Sequence, residues 1–194
     1  MNYCSLCGAQ VVQRIPPDDD RLRYVCDSCD EIHYQNPKIV AGCIPVWEDK
    51  VLLCKRAIEP RYGYWTLPAG FMELGETSHA AALRETMEEA NARVEIINLF
   101  AVFNLSHVNQ VYLMFNSRLM DLDFSPGAES QEVALFTQDE IPWEQLSFPT
   151  IRYSLEFFFE DRKDSHYRLH TGDIVRGNSG REFLTGPKTS TLSS

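Results

Sequence analysis

The feature that most constrains this sequence is the segment 69–92, which reads AGFMELGETSHAAALRETMEEANA. Its first half is rich in glycine and follows a proline, a composition typical of a loop. The second half holds alanines and other good helix formers without Pro or Gly, so it predicts a helix. Thr77 or Ser78 offers the side-chain oxygen that caps a helix start, and Asn91 tolerates the left-handed conformation with which many helices end. The segment therefore predicts a loop that leads directly into a helix.

Several carboxylates gather on one side of this predicted helix. At about 100° per residue, Glu85, Glu88 and Glu89 fall within an arc of roughly 100°. Like charges four residues apart destabilise an isolated helix, and only Arg84 is close enough along the helix to neutralise them. Glu76, at the end of the loop, can fold back toward the same place. Such a cluster suits a hard divalent cation, although a solvated acidic helix face is the alternative. The apolar residues on the opposite side are expected to pack: Leu83, Met87 and Ala90.

Two cysteine pairs near the amino terminus have the spacing of a metal site. Cys4-x2-Cys7 and Cys26-x2-Cys29 are separated by an interval within the range expected of a four-cysteine zinc site, about 15–20 residues. Four thiolates leave no open position on a tetrahedral ion, so we expect this Zn2+ to be structural. Two disulfides are the alternative, but nothing in the sequence marks a secreted chain. The sequence predicts a zinc ribbon over residues 1–35.

Composition restricts the partners of the chain. It has 194 residues and a net charge of −10, which argues against general affinity for nucleic acid. The ribbon itself has an acidic excess, so structural support or a dimer contact is its expected role, and we expect a homodimer. No apolar run approaches the ~18 residues of a membrane helix, and no leader peptide is visible. The expectation is a cytoplasmic protein without membrane contact.

The rest of the chain alternates strands and helices. Strands are predicted at 39–46, 50–54, 94–104, 110–119 and 133–136. A last helix is predicted at 150–164, with a broad apolar side that would pack on the sheet. Strands that flank a central helix, with another helix at the end, predict an α/β fold with a mixed sheet between helices. The main domain would cover residues 36–170, and the Gly- and Ser-rich residues 171–194 are expected to form a tail.

An aromatic segment, RYGYWTLP at 61–68, immediately precedes the glycine loop. One ring that faces a cleft can stack on a base or a flavin, while the others anchor the loop or the core. Arg56 follows a predicted strand and can meet a phosphate, whereas His107 is expected to be an ordinary loop residue. The candidates for substrate binding are Arg56, Arg61, Tyr62, Tyr64, Trp65 and Gly70.

The spacing of the helix segment resembles a known signature. It reads G-x5-E-x7-R-E-x-x-E-E, which is similar to the Nudix hydrolase signature, and the matching residues are Gly70, Glu76, Arg84, Glu85, Glu88 and Glu89. Three positions depart from that signature: Thr86 replaces an apolar residue, Asn91 replaces a glycine, and Ala92 is smaller than the usual aliphatic residue. None of these departures removes a carboxylate, so they affect packing more than chemistry.

This resemblance implies a fold and a set of site residues. It implies an α/β/α sandwich in which loop and helix hold Mg2+ or Mn2+ ions, and by matching position the ligands are the Ala69 carbonyl, Glu85, Glu88 and Glu89. Arg84 would orient the carboxylates. A glutamate would take the proton from the attacking water, and three candidates remain open for that role: Glu85, Glu129 and Glu132. Glu89→Gln would remove the metal-dependent activity.

The resemblance also implies a substrate class. A zinc ribbon ahead of such a domain resembles the NADH pyrophosphatases, but their S-Q-P-W-P-F-P-x-S element is absent, because residues 101–115 read AVFNLSHVNQVYLMF. The runs YQNPK, GCIP, VLLCKRAIEPRYGYWTLPAGFMELGET and EIPW look instead like the FAD and ADP-ribose pyrophosphatases. The expected reaction is cleavage of FAD to FMN and AMP, or of ADP-ribose.

Three alternatives stay open beside that expectation. The first is an NADH pyrophosphatase. An RNA-end hydrolase would share the signature but should carry a basic channel, which an acidic chain lacks. A non-catalytic, nucleotide-sensing regulator should have lost signature carboxylates, and this chain keeps them all.

Overall fold

The computed structural model describes residues 1–176 and 182–185. The chain divides into two compact units, Met1–Pro37 and Lys38–Ser194. Within the described residues, no helix has both the length and the apolar character that crossing a bilayer requires.

The first unit is a small antiparallel sheet built around cysteines. Its strands are β1 (Val11–Arg14), β2 (Arg23–Cys26) and β3 (Ile32–His33), in the order β1-β2-β3. Its buried apolar residues are few: a cluster of Cys4, Val11 and Cys26, with Ala9 and Tyr24 packed against it, and Val25. So small an apolar core cannot stabilise a unit of this size alone, which makes the cysteines the main source of its stability.

The second unit has one large mixed sheet of nine strands. The strands are β4 (Lys38–Trp47), β5 (Lys50–Arg56), β6 (Trp65–Thr66), β7 (Ala69–Phe71), β8 (Val94–Leu105), β9 (Gln110–Leu119), β10 (Ser130–Phe136), β11 (His170–Arg176) and β12 (Glu182–Thr185). The main order is β10-β5-β4-β9-β8-β11-β12, with β6 paired to β5 and β7 paired to β4. The pairs β4–β9 and β8–β11 are parallel and the others antiparallel, which confirms the predicted mixed sheet.

Two helices cover opposite faces of this sheet. On β4, Ile44 packs in the cluster that contains residues of α2 (Pro149–Lys163), whereas Cys43 packs with residues of α1 (Ser78–Ala90). Successive side chains of a strand point to opposite faces, so the two helices sandwich the sheet. The α/β/α sandwich expected from the sequence is confirmed.

The buried face of α1 differs from the expectation. Leu83 is 40% exposed and Met87 is 42% exposed, so the prediction that they pack against the core was wrong. Ala90, the third residue expected to pack, is buried as predicted, and the rest of the buried face is formed by Ala81, Ala82, Thr86 and Glu89. Small side chains on this face let the helix backbone lie close to the sheet beside Phe115. The close packing of α1 against the sheet therefore decides which face is buried, and the larger apolar side chains stay exposed.

The predicted tail also needs a correction at its start. Residues 170–176 form β11, which pairs in parallel with β8, and β12 pairs with β11. Ile174 of β11 is buried in the main core. The remainder of the segment expected to be a tail, apart from 182–185, lies outside the described residues.

Candidate active site

The loop and helix of segment 69–92 have the local structure that their sequence predicts. Thr77 is the N-cap of α1, and its hydroxyl accepts a hydrogen bond from the Ala80 amide at 3.1 Å. Asn91 has φ 46° and ψ 30°, the left-handed conformation, and its amide donates to the Met87 carbonyl at 2.8 Å. Asparagine therefore performs the capping for which glycine is more usual at this position.

The other departures from the signature are also accommodated. The buried Thr86 hydroxyl donates to the Ala82 carbonyl at 2.7 Å, which satisfies it within the helix. Ala92 is 1% exposed and packs in a cluster with Leu52 and Leu119. These departures change how the helix packs and leave its carboxylate face intact.

Arg84 is the hub of the carboxylate network. Its guanidinium donates to Glu76 Oε1 at 2.6 Å, to Glu85 Oε1 at 2.7 Å and to Glu88 Oε2 at 2.9 Å. A further bond to the Phe71 carbonyl at 3.0 Å ties the network to the loop. The hydrogen bond from Arg84 lowers the pKa of Glu76 to about 2, so Glu76 is a fixed anion. One arginine thus positions three glutamates, as the resemblance implied.

Glu89 is the buried member of the cluster. It is 6% exposed and forms no ion pair with any described residue. Burial, reinforced by the charge of Glu85, raises the pKa of Glu89 to about 8. Burial also raises the pKa of Glu85, although Arg84 opposes that effect. Two carboxylates held where their charge is costly are typical of a site that a cation completes.

Two glycines allow backbone to approach this cluster closely. A Cβ placed on Gly70 would lie 2.3 Å from the Glu85 carboxylate, so a larger residue there would displace that carboxylate from its present position. A Cβ on Gly127 would lie 1.7 Å from the Glu88 carbonyl oxygen, and the Gly127 amide donates to the Glu89 carbonyl at 3.0 Å. The second contact holds the chain ahead of β10 against the end of α1, which brings Glu129 to the site.

A cleft of about 920 Å³ opens over the carboxylates. A volume of this size fits a nucleotide-like ligand. The residues predicted from the sequence that line it are Arg56, Arg61, Ala69, Gly70, Arg84, Glu85, Glu88, Glu89 and Glu129. The site therefore joins acids from α1 with two arginines, one at the end of β5 and one in the segment that follows it.

Four predicted residues lie elsewhere. Glu132 forms an ion pair with Lys55 Nζ at 3.6 Å and does not line the cleft. Trp65 is 6% exposed and packs edge-on against Phe136 in the core, so it anchors the sheet. Tyr64 lines a second cleft that adjoins this one. Tyr62 is exposed and lines neither of the two clefts.

Several residues that line the cleft were not predicted as site residues from the sequence. Phe71, Tyr112 and Phe148 place aromatic rings at the cleft, and His107 lines it from the turn between β8 and β9. The Arg56 guanidinium carbon lies 5.4 Å from the centre of the Phe148 ring. An aromatic residue just ahead of a proline-initiated helix was the available signal for Phe148, because helix starts often face a ligand.

The oxygen donors of the cleft fit a hard divalent cation. They are carboxylates and a backbone carbonyl, the ligands that Mg2+ and Mn2+ prefer. The carboxylate oxygens of the cleft do not converge on one point. Among the described residues, the four cysteines are the only such group whose ligand atoms all lie within 4.8 Å of one another. Arg84 holds Glu85 and Glu88 in that arrangement, so cation binding would compete with these hydrogen bonds.

The four cysteines of the first unit fit a tetrahedral ion. Cys4 Sγ and Cys29 Sγ are 3.7 Å apart, and Cys7 Sγ and Cys26 Sγ are 3.4 Å apart. Zn–S bonds of about 2.3 Å in a tetrahedron require sulfur–sulfur distances of about 3.8 Å. His33 Nε2 lies 3.3 Å from Cys4 Sγ, where it can support that thiolate.

Comparison with known proteins agrees with this geometry. A family model described as Nudix N-terminal, a zinc ribbon, matches residues 2–35, and one described as NUDIX domain matches residues 36–156. The crystal structure of a NUDIX hydrolase from Nitrosomonas europaea is 55% identical, with a TM-score of 0.88, and the match covers 90% of this chain and 99% of that chain.

More distant relatives carry more specific names. A NAD-capped RNA hydrolase NudC from Photobacterium profundum is 29% identical over 142 residues, or 71% of this chain and 50% of that protein. An ADP-ribose pyrophosphatase from Streptococcus suis 89-1591 is 21% identical, with a TM-score of 0.56, over 70% of this chain and 99% of that chain; it shares the fold. The chain spans about half the length of the NudC relative. From the family matches and the carboxylate network together, the chain belongs to the Nudix hydrolases and begins with their zinc-ribbon N-terminal domain.

Proposed function

We propose that this chain hydrolyses the pyrophosphate bond of a nucleoside diphosphate-linked substrate, with FAD or ADP-ribose as the first candidates. The observation that carries the proposal is the composition of the cleft, in which three carboxylates of α1, served by the single Arg84, lie together with Arg56 and Arg61. A pyrophosphate brings anionic oxygens to that place, and each like-charge contact near 4 Å costs on the order of 4 kcal/mol at an effective dielectric of 20. A cation is needed between the two.

Glu85, Glu88, Glu89 and the Ala69 carbonyl would hold that cation, Mg2+ or Mn2+. When bound, such an ion neutralises phosphate charge and lowers the pKa of a coordinated water. The protein contributes the rest. Arg84 would keep the carboxylates in position. Arg56 and Arg61 would contact phosphate oxygens, which is supported by their place in the cleft wall and by their lack of an ion pair with a carboxylate of the described residues.

Glu129 is our choice for the general base. It lines the cleft, is exposed, and forms no ion pair within the described residues, so it is available to accept a proton. Its charge acts on both Glu85 and Glu89, which places it within electrostatic range of the cation ligands. Glu85 is engaged by Arg84, and Glu132 by Lys55. These contacts favour Glu129 over the other two candidates.

A second substrate class is favoured by the relatives. Proteins named NAD-capped RNA hydrolase NudC match most of this chain, and NAD has the same pyrophosphate linkage as FAD. Against a long RNA stands the net charge of −10, because binding along a phosphate backbone depends on Lys and Arg. Small dinucleotides therefore remain ahead of capped RNA in this proposal.

A substrate panel tests the proposal directly. With Mg2+ or Mn2+, AMP release would be measured for FAD, ADP-ribose and NADH, and NMN release for an NAD-capped RNA, whose adenosine stays on the RNA; the metal-chelated protein is the control. We expect metal-dependent release from FAD or ADP-ribose. Release from the capped RNA alone would contradict the substrate choice, and no release from any of the four would favour a nucleotide sensor.

The proposal also includes a structural zinc ion, a homodimer and a cytoplasmic location. The sulfur geometry supports a structural Zn2+ at the four cysteines of the ribbon. A cytoplasmic location remains the expectation from the spacing of the cysteine pairs, which favours a metal site over disulfides. Zinc content per chain and mass by light scattering would test the ion and the dimer; a monomer without zinc would contradict both.

A further inference from the structure

A second cleft of about 800 Å³ adjoins the first. The two clefts share Arg61, Ser147, Phe148 and Pro149 in their walls, so they are continuous along one edge. The second cleft has a different lining charge: Glu144 is its one acid among the described residues, whereas the first cleft has carboxylates from α1, the loop and Glu129. It therefore lacks the donors of a cation site and needs a different ligand.

Aromatic rings and guanidinium groups alternate around this second cleft. The Arg61 guanidinium carbon lies 5.2 Å from the centre of the Tyr64 ring, and that of Arg152 lies 5.8 Å from the centre of the Trp143 ring. Flat rings and planar guanidinium groups are the surfaces on which nucleic-acid bases stack. Arg61 has φ 69°, an uncommon conformation for a residue with a side chain, and it is held there between the two clefts.

Ser147 supplies an independent indication of a ligand. It is 2% exposed, it lines both clefts, and its hydroxyl has no hydrogen-bond partner among the described residues. A buried hydroxyl without a partner costs free energy unless something bonds to it. It lies directly ahead of α2, whose N-cap residue Phe148 makes no side-chain capping bond. The polar atoms at this edge are therefore available to a bound molecule.

We propose that the second cleft is the subsite for the second planar heterocycle of a dinucleotide substrate, an inference that rests on the proposed pyrophosphohydrolase function. The first cleft has room for a nucleoside diphosphate and its cation. The ring beyond the second phosphate then passes Arg61 and stacks beside Tyr64 and Trp143, with Ser147 bonding to a polar atom near the junction. The subsite gives the enzyme a means to prefer FAD or a nicotinamide dinucleotide over ADP-ribose, which has one heterocycle.

The test compares Tyr64→Ala with Tyr64→Phe on substrates that have two rings or one. Removing a stacking ring should raise KM for FAD or NADH by about 5- to 100-fold, while KM for ADP-ribose changes by less than about threefold. Tyr64→Phe keeps the ring and should stay close to the parent. An equal loss on ADP-ribose, or no loss on any dinucleotide, would overturn the subsite.

Equilibrium binding separates this inference from the proposed function. Titration calorimetry of FAD and ADP-ribose with the Mg2+-loaded Glu129→Gln variant measures binding without turnover. A parent chain that binds both and yet releases no AMP in the substrate panel would contradict the enzyme, while the binding data would still test the cleft. The inference predicts tighter binding of FAD than of ADP-ribose, and a loss of that difference in Tyr64→Ala. Equal affinities in Glu129→Gln would overturn it.

Ser147 has a matched control in Ser154. Both hydroxyls are buried without a partner among the described residues, but Ser154 lines neither cleft. Neither Ser147→Ala nor Ser154→Ala should lower the thermal unfolding temperature, because each removes an unsatisfied group. Only Ser147→Ala should weaken FAD binding, by about 3- to 10-fold. Equal binding by both variants would overturn the contact assigned to Ser147.

Discussion

The carboxylates of the cleft and the carboxylate of Asp161 are neutralised to different extents. In the cleft, Arg84 is shared among three glutamates, and Glu89 has no ion pair within the described residues. Asp161, on α2, is 2% exposed and accepts from the Arg168 amide at 2.9 Å, with His170 Nε2 at 2.8 Å. The first cluster has an excess of negative charge and the second is fully bonded.

This difference shifts the pKa values of Glu89 and Asp161 in opposite directions. Burial raises the pKa of Glu89 to about 8, because too few donors compensate for it. Burial would also raise the pKa of Asp161, but the Arg168 amide and His170 outweigh it and lower the pKa below its ordinary value. A buried acid with its donors in place stabilises the fold, and one without them is available for a cation. The charge balance therefore separates the binding site from the structural one.

The largest expected effect comes from Glu89→Gln. The amide has the shape of the acid but cannot supply a negative ligand to the cation, so metal-dependent turnover should fall by about a thousandfold or more. The fold should not lose stability, because the amide is neutral, like the protonated acid that the raised pKa of Glu89 favours without metal. AMP release and thermal unfolding in chelator measure the two effects. Turnover near that of the parent would contradict the assignment of the cleft as the active site.

Replacing Glu129, the proposed general base, should lower activity less than replacing Glu89. Glu129→Gln should lower kcat by about 100- to 1,000-fold, within the usual contribution of a general base, without a comparable change in metal affinity. Glu132→Gln is the matched control, since it makes the same chemical change at the next glutamate along the chain, which faces Lys55. It should retain most of the activity. If the two variants lose activity in the reverse order, Glu132 is the base.

Asp161→Asn should affect stability and leave the chemistry alone. It weakens charge-assisted bonds in a buried place, so we expect the free energy of unfolding to fall by about 1.5–3 kcal/mol near neutral pH. Because the folded-state pKa is lowered, this stabilisation is present above the ordinary pKa of 3.8 and is lost as the pH falls through the folded value. Urea unfolding at neutral and acidic pH measures it. A difference that stays constant into acid would contradict this account.

Local chemistry made parts of the site predictable from the sequence. Thr77 and Asn91 cap α1 through contacts within a few residues, and Arg84 reaches Glu76 and Glu88 across short separations. Patterns of alternating apolar residues likewise fixed most strands, since alternation depends on the chain itself.

The features of the fold and the site that could not be predicted from the sequence depend on contacts between distant segments. Whether Glu129 or Glu132 faces the cleft depends on a register shift between Ser130 and Glu132 where β10 pairs with β5. The exposure of Leu83 and Met87 follows from how closely α1 approaches the sheet. The pairing of β11 with β8 joins residues about 70 positions apart in the chain, which no local pattern encodes.

Thr86→Val should have the smallest effect, and it sharpens the contrast between satisfied and unsatisfied groups. Thr86 is buried on α1, where its hydroxyl donates to the Ala82 carbonyl of the same helix and lies within reach of the Cys43 thiol. That carbonyl keeps its backbone bond in the variant, so no polar group is left unsatisfied, and valine has nearly the same shape. We expect the free energy of unfolding to change by less than about 1 kcal/mol in either direction. A loss as large as that of Asp161→Asn in the same urea experiment would mean that a neutral bond inside a helix matters as much as a bonded buried charge.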